Sequence, residues 1–188
     1  MPKNISRIFF TSIAAVFLFT GYSFAVPEDG FGAAVKLESR YFTIYYAPQL
    51  DPQALAGQLE IRPLEQVITG ESYADDLGGR IDTLFSQACV ILDMQLPSFH
   101  GVIKIGQEAA RINAAYRNIF GKELGNKRSF YLYDTNTIYI SSADFKREIL
   151  GHEMAHAIIS RYFVVLPPLK IQEVLATYVE FQLRRLYK

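Results

Sequence analysis

Two histidines and a glutamate occur together at His152-Glu153-Met154-Ala155-His156, which has the pattern H-E-x-x-H. In a helix, residues i and i+4 lie on one face, so His152 and His156 can direct both imidazoles at a single metal ion. Zinc is the ion that this pair of ligands typically binds. The carboxylate of Glu153 can reach a water molecule at the metal without being a ligand. The pattern predicts metal-assisted hydrolysis with Glu153 as the general base.

The sequence around the motif predicts a buried helix over residues 143–163. Its middle is apolar on almost every side: Ile149, Leu150, Met154, Ala155, Ala157, Ile158 and Ile159. A helix of this kind is buried, and buried polar groups need partners. A metal ion would supply partners for both histidines. The alternative is a pair of core histidines hydrogen-bonded to the backbone, and it leaves Glu153 without a role.

A third metal ligand is expected on a neighbouring element, because a catalytic zinc ion has three protein ligands and one open position. After the motif, the sequence offers Glu173 and Glu180. Both lie in a predicted last helix that begins near Leu169, and the Pro167-Pro168 turn would fold this helix back against the motif. Seven residues span about 10 Å along a helix axis, so the two glutamates cannot both bind one ion. Glu173 is favoured because it lies nearer the turn.

The two segments H-E-M-A-H and I-Q-E-V-L-A-T-Y-V-E together resemble the gluzincin metallopeptidases. The closest likeness is to small exported proteins of the peptidase MA-like superfamily, and it covers about residues 40–188. The resemblance implies an α+β, zincin-like fold, in which a small mixed sheet packs on helices that include the H-E-x-x-H helix. It also implies that His152, His156 and Glu173 bind zinc and that Glu153 is the general base.

The resemblance further identifies the segment Ser129, Phe130 and Tyr131 as the edge strand along which a zincin holds an extended peptide. Thr177 stands where some gluzincins have an aspartate that orients a zinc-bound histidine. Its hydroxyl could accept from an imidazole N–H, but without a carboxylate's charge.

The stretch after Glu173 is short compared with larger gluzincins, which place there a tyrosine or histidine that stabilises the oxyanion. Those proteins also build the lower wall of the cleft from this region. Tyr178 is the candidate oxyanion donor here, with Tyr131 and Tyr187 as alternatives. We therefore expect a cleft that is open on its lower side, and a protein partner could complete it.

The other elements follow from hydrophobic periodicity, turn residues and helix caps. Residues 26–37 are expected to be a loose segment, and Ser141 or Ser142 is expected to cap the motif helix. The predicted elements are a strand at 40–46, a helix from Pro52 to near Arg62, a short helix at 64–68, a helix at 72–94, a strand at 101–106, a helix at 108–120, and a hairpin of strands 129–133 and 137–140.

Residues 1–25 have the three parts of a secretory signal peptide. Lys3 and Arg7 are the positive region, residues 8–20 are mostly apolar, and Ser23-Phe24-Ala25 provides small residues for cleavage. The apolar run is short for a membrane span. We expect an exported protein, periplasmic or secreted, with one domain at residues 26–188 and no stable membrane span after cleavage. The alternative is an uncleaved N-terminal membrane anchor.

Composition excludes some classes of function and partner. The formal net charge is zero, which argues against a nucleic-acid-binding surface. Cys89 is the only cysteine, so the chain has no internal disulfide. Its apolar, helical neighbourhood predicts buried packing for Cys89 rather than a reactive thiol. His100 is expected at the surface.

The sequence therefore predicts an exported, zinc-dependent metallopeptidase that acts on a peptide or protein substrate. A rival from another class is a non-hydrolytic, zinc-binding accessory protein with a degenerate cleft. The intact Glu153 favours the enzyme, whereas the short stretch after Glu173 favours the accessory protein.

Overall fold

A computed structural model describes residues 29–61, 76–125 and 129–186. The predicted signal peptide at residues 1–25, the predicted short helix at 64–68 and Tyr187 lie outside these ranges. Within them the chain is a mixed α+β protein.

The described residues contain a five-stranded mixed sheet in the order β1-β2-β3-β5-β4. The central strands β2, β3 and β5 are parallel, and β1 and β4 pair antiparallel at the two edges. β4 and β5 form the predicted hairpin. The strands are β1 (Val35–Glu38), β2 (Phe42–Tyr46), β3 (Gly101–Gly106), β4 (Ser129–Leu132) and β5 (Thr137–Ser141).

Five α-helices and one 3₁₀ helix (Ser142–Asp144) accompany the sheet in the described part of the chain. Side chains alternate between the two faces of a strand, so one strand can contribute to two clusters. Ile138 and Ile140 of β5 join the main core, whereas Tyr139 joins a smaller cluster on the other face with Ile112. The α-helices are α1 (Pro52–Gln58), α2 (Leu77–Leu92), α3 (Ala109–Phe120), α4 (Arg147–Tyr162) and α5 (Leu169–Leu186).

α4 carries the H-E-x-x-H motif and is largely buried, as its apolar sequence predicts. Leu150, Met154, Ile158 and Ile159 are fully buried in the main core. Cys89 is buried on α2, and burial raises the pKa of its thiol to about 12. Within the described ranges, no helix combines the length and apolar character needed to cross a bilayer.

The predicted bounds near the N-terminal half need correction. Residues 35–37 belong to β1 instead of a loose segment, because Val35–Glu38 pairs with β2. Asp51 caps α1 as predicted, but the helix ends at Gln58 and not near Arg62. Glu60 then takes a left-handed backbone conformation with φ of 48°, which a helix cannot continue through. α2 begins at Leu77, where Asp76 caps it, and the predicted residues 72–75 are outside the described ranges.

The start of the motif helix was also predicted four residues too early. Ser142–Asp144 is a 3₁₀ turn, and α4 begins only at Arg147. Neither serine caps α4: the N-cap position is Lys146, without a side-chain cap bond, and the hydroxyl of Ser141 donates to Asp144 instead. The break arises at Phe145, whose ψ of 66° is not helical and whose side chain is fully buried in the core.

α4 and α5 form a closely packed, antiparallel pair. Gly151 lies at a close contact between the two helices, where an added Cβ would be 2.2 Å from Cδ1 of Leu183. Val179 and Leu183 are fully buried in this contact. Because Gly151 directly precedes His152, this close approach brings the side chains of α5 to the motif histidines.

Candidate metal centre and cleft

The two motif histidines and Glu173 converge between α4 and α5. The two Nε2 atoms of His152 and His156 are 3.3 Å apart. Oε2 of Glu173 is 3.6 Å from Nε2 of His152, and Oε1 is 3.7 Å from Nε2 of His156. One ligand atom from each residue lies within 4.8 Å of the others. The three side chains could hold one metal ion, although the contact between the imidazoles also fits a hydrogen bond between them.

The outer nitrogen of His152 faces the second glutamate of α5. Nδ1 is buried and has no hydrogen-bond partner among the described residues, but Oε2 of Glu180 is only 3.5 Å away. That distance is longer than a normal hydrogen bond. The other carboxylate oxygen of Glu180 accepts a bond from Nη2 of Arg184 at 2.7 Å. Metal-binding histidines commonly place a carboxylate beside the nitrogen that does not bind the metal.

Thr177, which the family resemblance places beside a histidine, is exposed and does not line the cleft. The structure thus puts Glu180, not Thr177, next to the outer nitrogen of His152. Glu180 remains too far along the helix to replace Glu173 between the two Nε2 atoms.

Glu153 points away from α5, towards the edge strand. Its side chain is buried, and its Oε1 accepts a hydrogen bond from the hydroxyl of Ser129 at 2.8 Å. The carboxylate is therefore held between α4 and β4, beside the histidines but outside their cluster.

β4 is the edge strand that the sequence predicts. Ser129 and Tyr131 face α4, whereas the ring of Phe130 stacks on Tyr139 at 4.5 Å on the other face of the sheet. The hydroxyl of Tyr131 bonds with Ser160 at 2.7 Å and with Oδ1 of Asn136 at 2.9 Å. Burial raises the pKa of Tyr131, so this hydroxyl stays protonated at neutral pH.

A cleft of about 540 Å³ runs between β4, α4 and α5. Ser129, Tyr131, His152, His156 and Glu173 all line it. The side chain of Glu173 is 46% exposed, so the cluster is reachable from solvent. The cleft thus unites the proposed ligands, the proposed base and the edge strand.

The predicted oxyanion donor is not in the cleft. Tyr178 is exposed on α5, and it does not line the cleft. Tyr131 and Tyr133 do line it, but the hydroxyl of Tyr131 is already bonded to Ser160 and Asn136.

Two contacts of the site go beyond the sequence prediction. The bond from Ser129 to Glu153 depends on how β4 lies against α4, and no local pattern encodes it. The approach of Glu180 to His152 has a weak sequence signal, because Glu180 lies seven residues after Glu173 and therefore on the same face of the helix. His100, expected at the surface, is exposed and does not line the cleft. Its Nε2 contacts the hydroxyl of Thr43.

Comparison of the chain with protein-family models, with curated proteins and with solved structures finds no match.

Proposed function

We propose that the protein is a zinc-dependent metallopeptidase with a gluzincin-like site on a zincin-like fold. The observation that carries this proposal is the convergence of His152, His156 and Glu173 beside the buried carboxylate of Glu153. These residues lie in one cleft with a sheet edge along its wall.

The donor atoms fit zinc. Two nitrogens bound tetrahedrally at 2.0–2.1 Å would be about 3.3 Å apart, and the Nε2 atoms of His152 and His156 are 3.3 Å apart. Two imidazoles and one carboxylate form a ligand set of catalytic zinc, with one position left for water. The buried Nδ1 of His152, which lacks a hydrogen-bond partner in the described residues, lies next to a carboxylate as metal-binding histidines require.

The chemistry of the site divides between the ion and the chain. A bound zinc ion would polarise the scissile carbonyl and lower the pKa of water. Glu153 takes the proton from the attacking water and passes it to the leaving amine. Ser129 holds Oε1 of Glu153 through its hydroxyl, which fixes the position of the carboxylate between α4 and β4.

The substrate that fits this site is an extended polypeptide. Among the described residues, β4 pairs with β5 along one side only, so its other side has backbone groups that can pair with a further strand. Strand addition of this kind recognises the backbone and tolerates many sequences. We therefore propose weak selectivity and a preference for unfolded or extended chains.

The deciding experiment measures zinc content and peptide hydrolysis together. Wild type should bind one zinc ion per chain and cleave members of an extended-peptide library. Glu153→Gln should keep zinc and the fold, but lower the hydrolysis rate by roughly 10²–10⁴-fold, since it removes only the general base. Equal, background-level hydrolysis by wild type and Glu153→Gln at full zinc occupancy refutes the enzyme.

The second candidate is a zinc-binding accessory protein without hydrolytic activity. The observation in its favour is that the cleft hydroxyl of Tyr131 is already bonded on both sides, to Ser160 and Asn136. This candidate predicts full zinc occupancy with no cleavage, even with native partners present. The experiment above therefore separates the two functions.

Export is part of the proposal and rests on residues 1–25. N-terminal sequencing of the exported protein should begin at Val26. A first residue of Met1 would favour the membrane-anchored alternative.

A further inference from the structure

Exposed apolar side chains cover the connection between α4 and α5 and continue along one side of α5. Val164 is 104% exposed and Val165 is 82% exposed, so both side chains stand clear of the fold. We call the whole surface the apolar ridge. Its members are Tyr162, Phe163, Val164, Val165, Leu166, Leu169, Ile171, Val174, Tyr178 and Phe181.

The part of the ridge on α5 is a second apolar face of this helix. The first face, with Ala176, Val179 and Leu183, is buried against the core. The second recurs at Ile171, Val174, Tyr178 and Phe181, a spacing that puts these residues on one side of the helix. Single exposed apolar residues are ordinary, but a continuous apolar surface marks an interaction site.

The charges around the ridge are positive. Residues 154–186 contain Arg161, Lys170, Arg184 and Arg185, of which Arg184 is paired with Glu180. The acidic residues of this segment are Glu173 and Glu180. Both glutamates face the histidines of the cleft rather than the ridge. Arg185 lies over the ring of Phe181 at 5.7 Å, so a cation borders the apolar stripe directly. An anionic surface would complement this arrangement.

Two carbonyls at the α5 end of the connection are hydrogen-bonded within the chain. The carbonyl of Pro167 accepts from Nε2 of Gln172 at 2.8 Å, and the carbonyl of Pro168 accepts from the amide of Ile171 at 2.8 Å. Neither proline has an N–H to leave unpaired. These bonds reduce the cost of moving the connection out of water.

We infer that the apolar ridge docks on an anionic lipid bilayer, with Val164 and Val165 inserted to the depth of the headgroup–acyl boundary. A convex tip with fully exposed valines would need a matching pocket in a protein partner, whereas a lipid surface adapts to any convex shape. Flanking aromatic residues and cations are typical of helices that lie in the interface, about 5–10 Å deep. This surface does not depend on zinc or on hydrolysis.

A tryptophan placed on the ridge tests the inference, because the chain contains no tryptophan. Val164→Trp reports on the ridge, and Val90→Trp is the matched control, since Val90 is a valine 43% exposed on α2. Both variants are mixed with equimolar phosphatidylcholine–phosphatidylglycerol vesicles whose acyl chains carry bromine. The tryptophan at 164 should shift to the blue and be quenched, whereas the tryptophan at 90 should do neither. Unchanged thermal unfolding midpoints verify the fold of each variant.

Two further variants sharpen the result. Val165→Asp in the Val164→Trp background should abolish the quenching. Lys170→Gln should weaken partitioning onto the anionic vesicles about fivefold, since each basic residue near such a surface contributes about that factor.

Three outcomes overturn the inference. The first is no quenching at 164, which attachment through residues 1–25 alone would give, and the second is equal quenching at 164 and 90, which adsorption without a preferred face would give. The third is a blue shift at 164 that rises with protein concentration in the absence of vesicles, because it would identify a second copy of the chain as the occupant.

Discussion

Gly151 gives the sharpest test of how α4 and α5 are packed. A Cβ at this position would lie 2.2 Å from Cδ1 of Leu183 and 3.7 Å from Cγ1 of Val179. Leu183 is 0% exposed, so its side chain can move only by displacing its neighbours. Overpacking of this kind costs about 1–3 kcal/mol, and the better helix propensity of alanine returns about 1 kcal/mol. The free energy of unfolding of Gly151→Ala should therefore fall, by up to about 2 kcal/mol.

The assay is urea denaturation of Gly151→Ala beside a matched control. Gly57 also lies in a helix, but an added Cβ would have no neighbour within 4 Å. Gly57→Ala should therefore stabilise the protein by about 0.5–1 kcal/mol. Leu183→Ala alone should cost about 2–5 kcal/mol. In the double variant Gly151→Ala/Leu183→Ala, the new methyl group fills part of the cavity, so the cost should be less than the sum by about 1 kcal/mol or more.

The same variant links packing to the candidate site. Wider spacing between α4 and α5 moves Glu173 away from His152 and His156. The stabilisation that added zinc gives should then be smaller in Gly151→Ala than in Gly57→Ala. Two results would refute the close approach of the two helices. One is that Gly151→Ala stabilises the protein as much as Gly57→Ala does, and the other is that the effects of the two substitutions in the double variant add strictly.

Other predictions concern the metal, the thiol and acid stability. His156→Ala should lose zinc, whereas His100→Ala should keep it, and metal analysis of both variants distinguishes a specific site from adventitious binding. Cys89 should react with a thiol reagent only on unfolding, because burial raises its pKa to about 12; rapid reaction of the native protein would contradict this. Burial raises the pKa of Asp29, but hydrogen bonds, first among them that from Lys104, lower it by more. Asp29 therefore stabilises the fold above its unfolded pKa of about 3.8, and this stabilisation is lost as pH falls through the lower folded-state pKa. Asp29→Asn should lower the free energy of unfolding more at neutral pH than in strong acid. Urea denaturation of wild type and variant at both pH values measures this difference.

The elements that the sequence predicts well are those with a strong local pattern. The buried helix around the motif and the hairpin at β4 and β5 follow from periodicity and turn residues alone. β1 has such a pattern as well, since Val35, Lys36, Leu37 and Glu38 alternate apolar and charged residues. The interpretation of this stretch as loose neglected that alternation.

The errors arise where tertiary packing overrides a local signal. A serine followed by an acidic residue favours a cap, but burial of Phe145 breaks the helix and delays α4 to Arg147. The positions of Ser129 and Glu180 beside Glu153 and His152 depend on how separate elements meet. Spacing along one helix cannot by itself encode such distances, and Thr177 was suggested instead by the family resemblance.

The strand order has a consequence for the order of folding. β4, β5, α4 and α5 follow one another along the chain through short connections, and every residue of the candidate centre belongs to them. The parallel ladder instead joins distant segments, since Phe42 pairs with Gly101. Contacts between near neighbours in sequence form faster than such distant pairings. We therefore expect these four elements to behave as one cooperative unit, which stays closed while β1 and β2 at the far edge open for amide exchange.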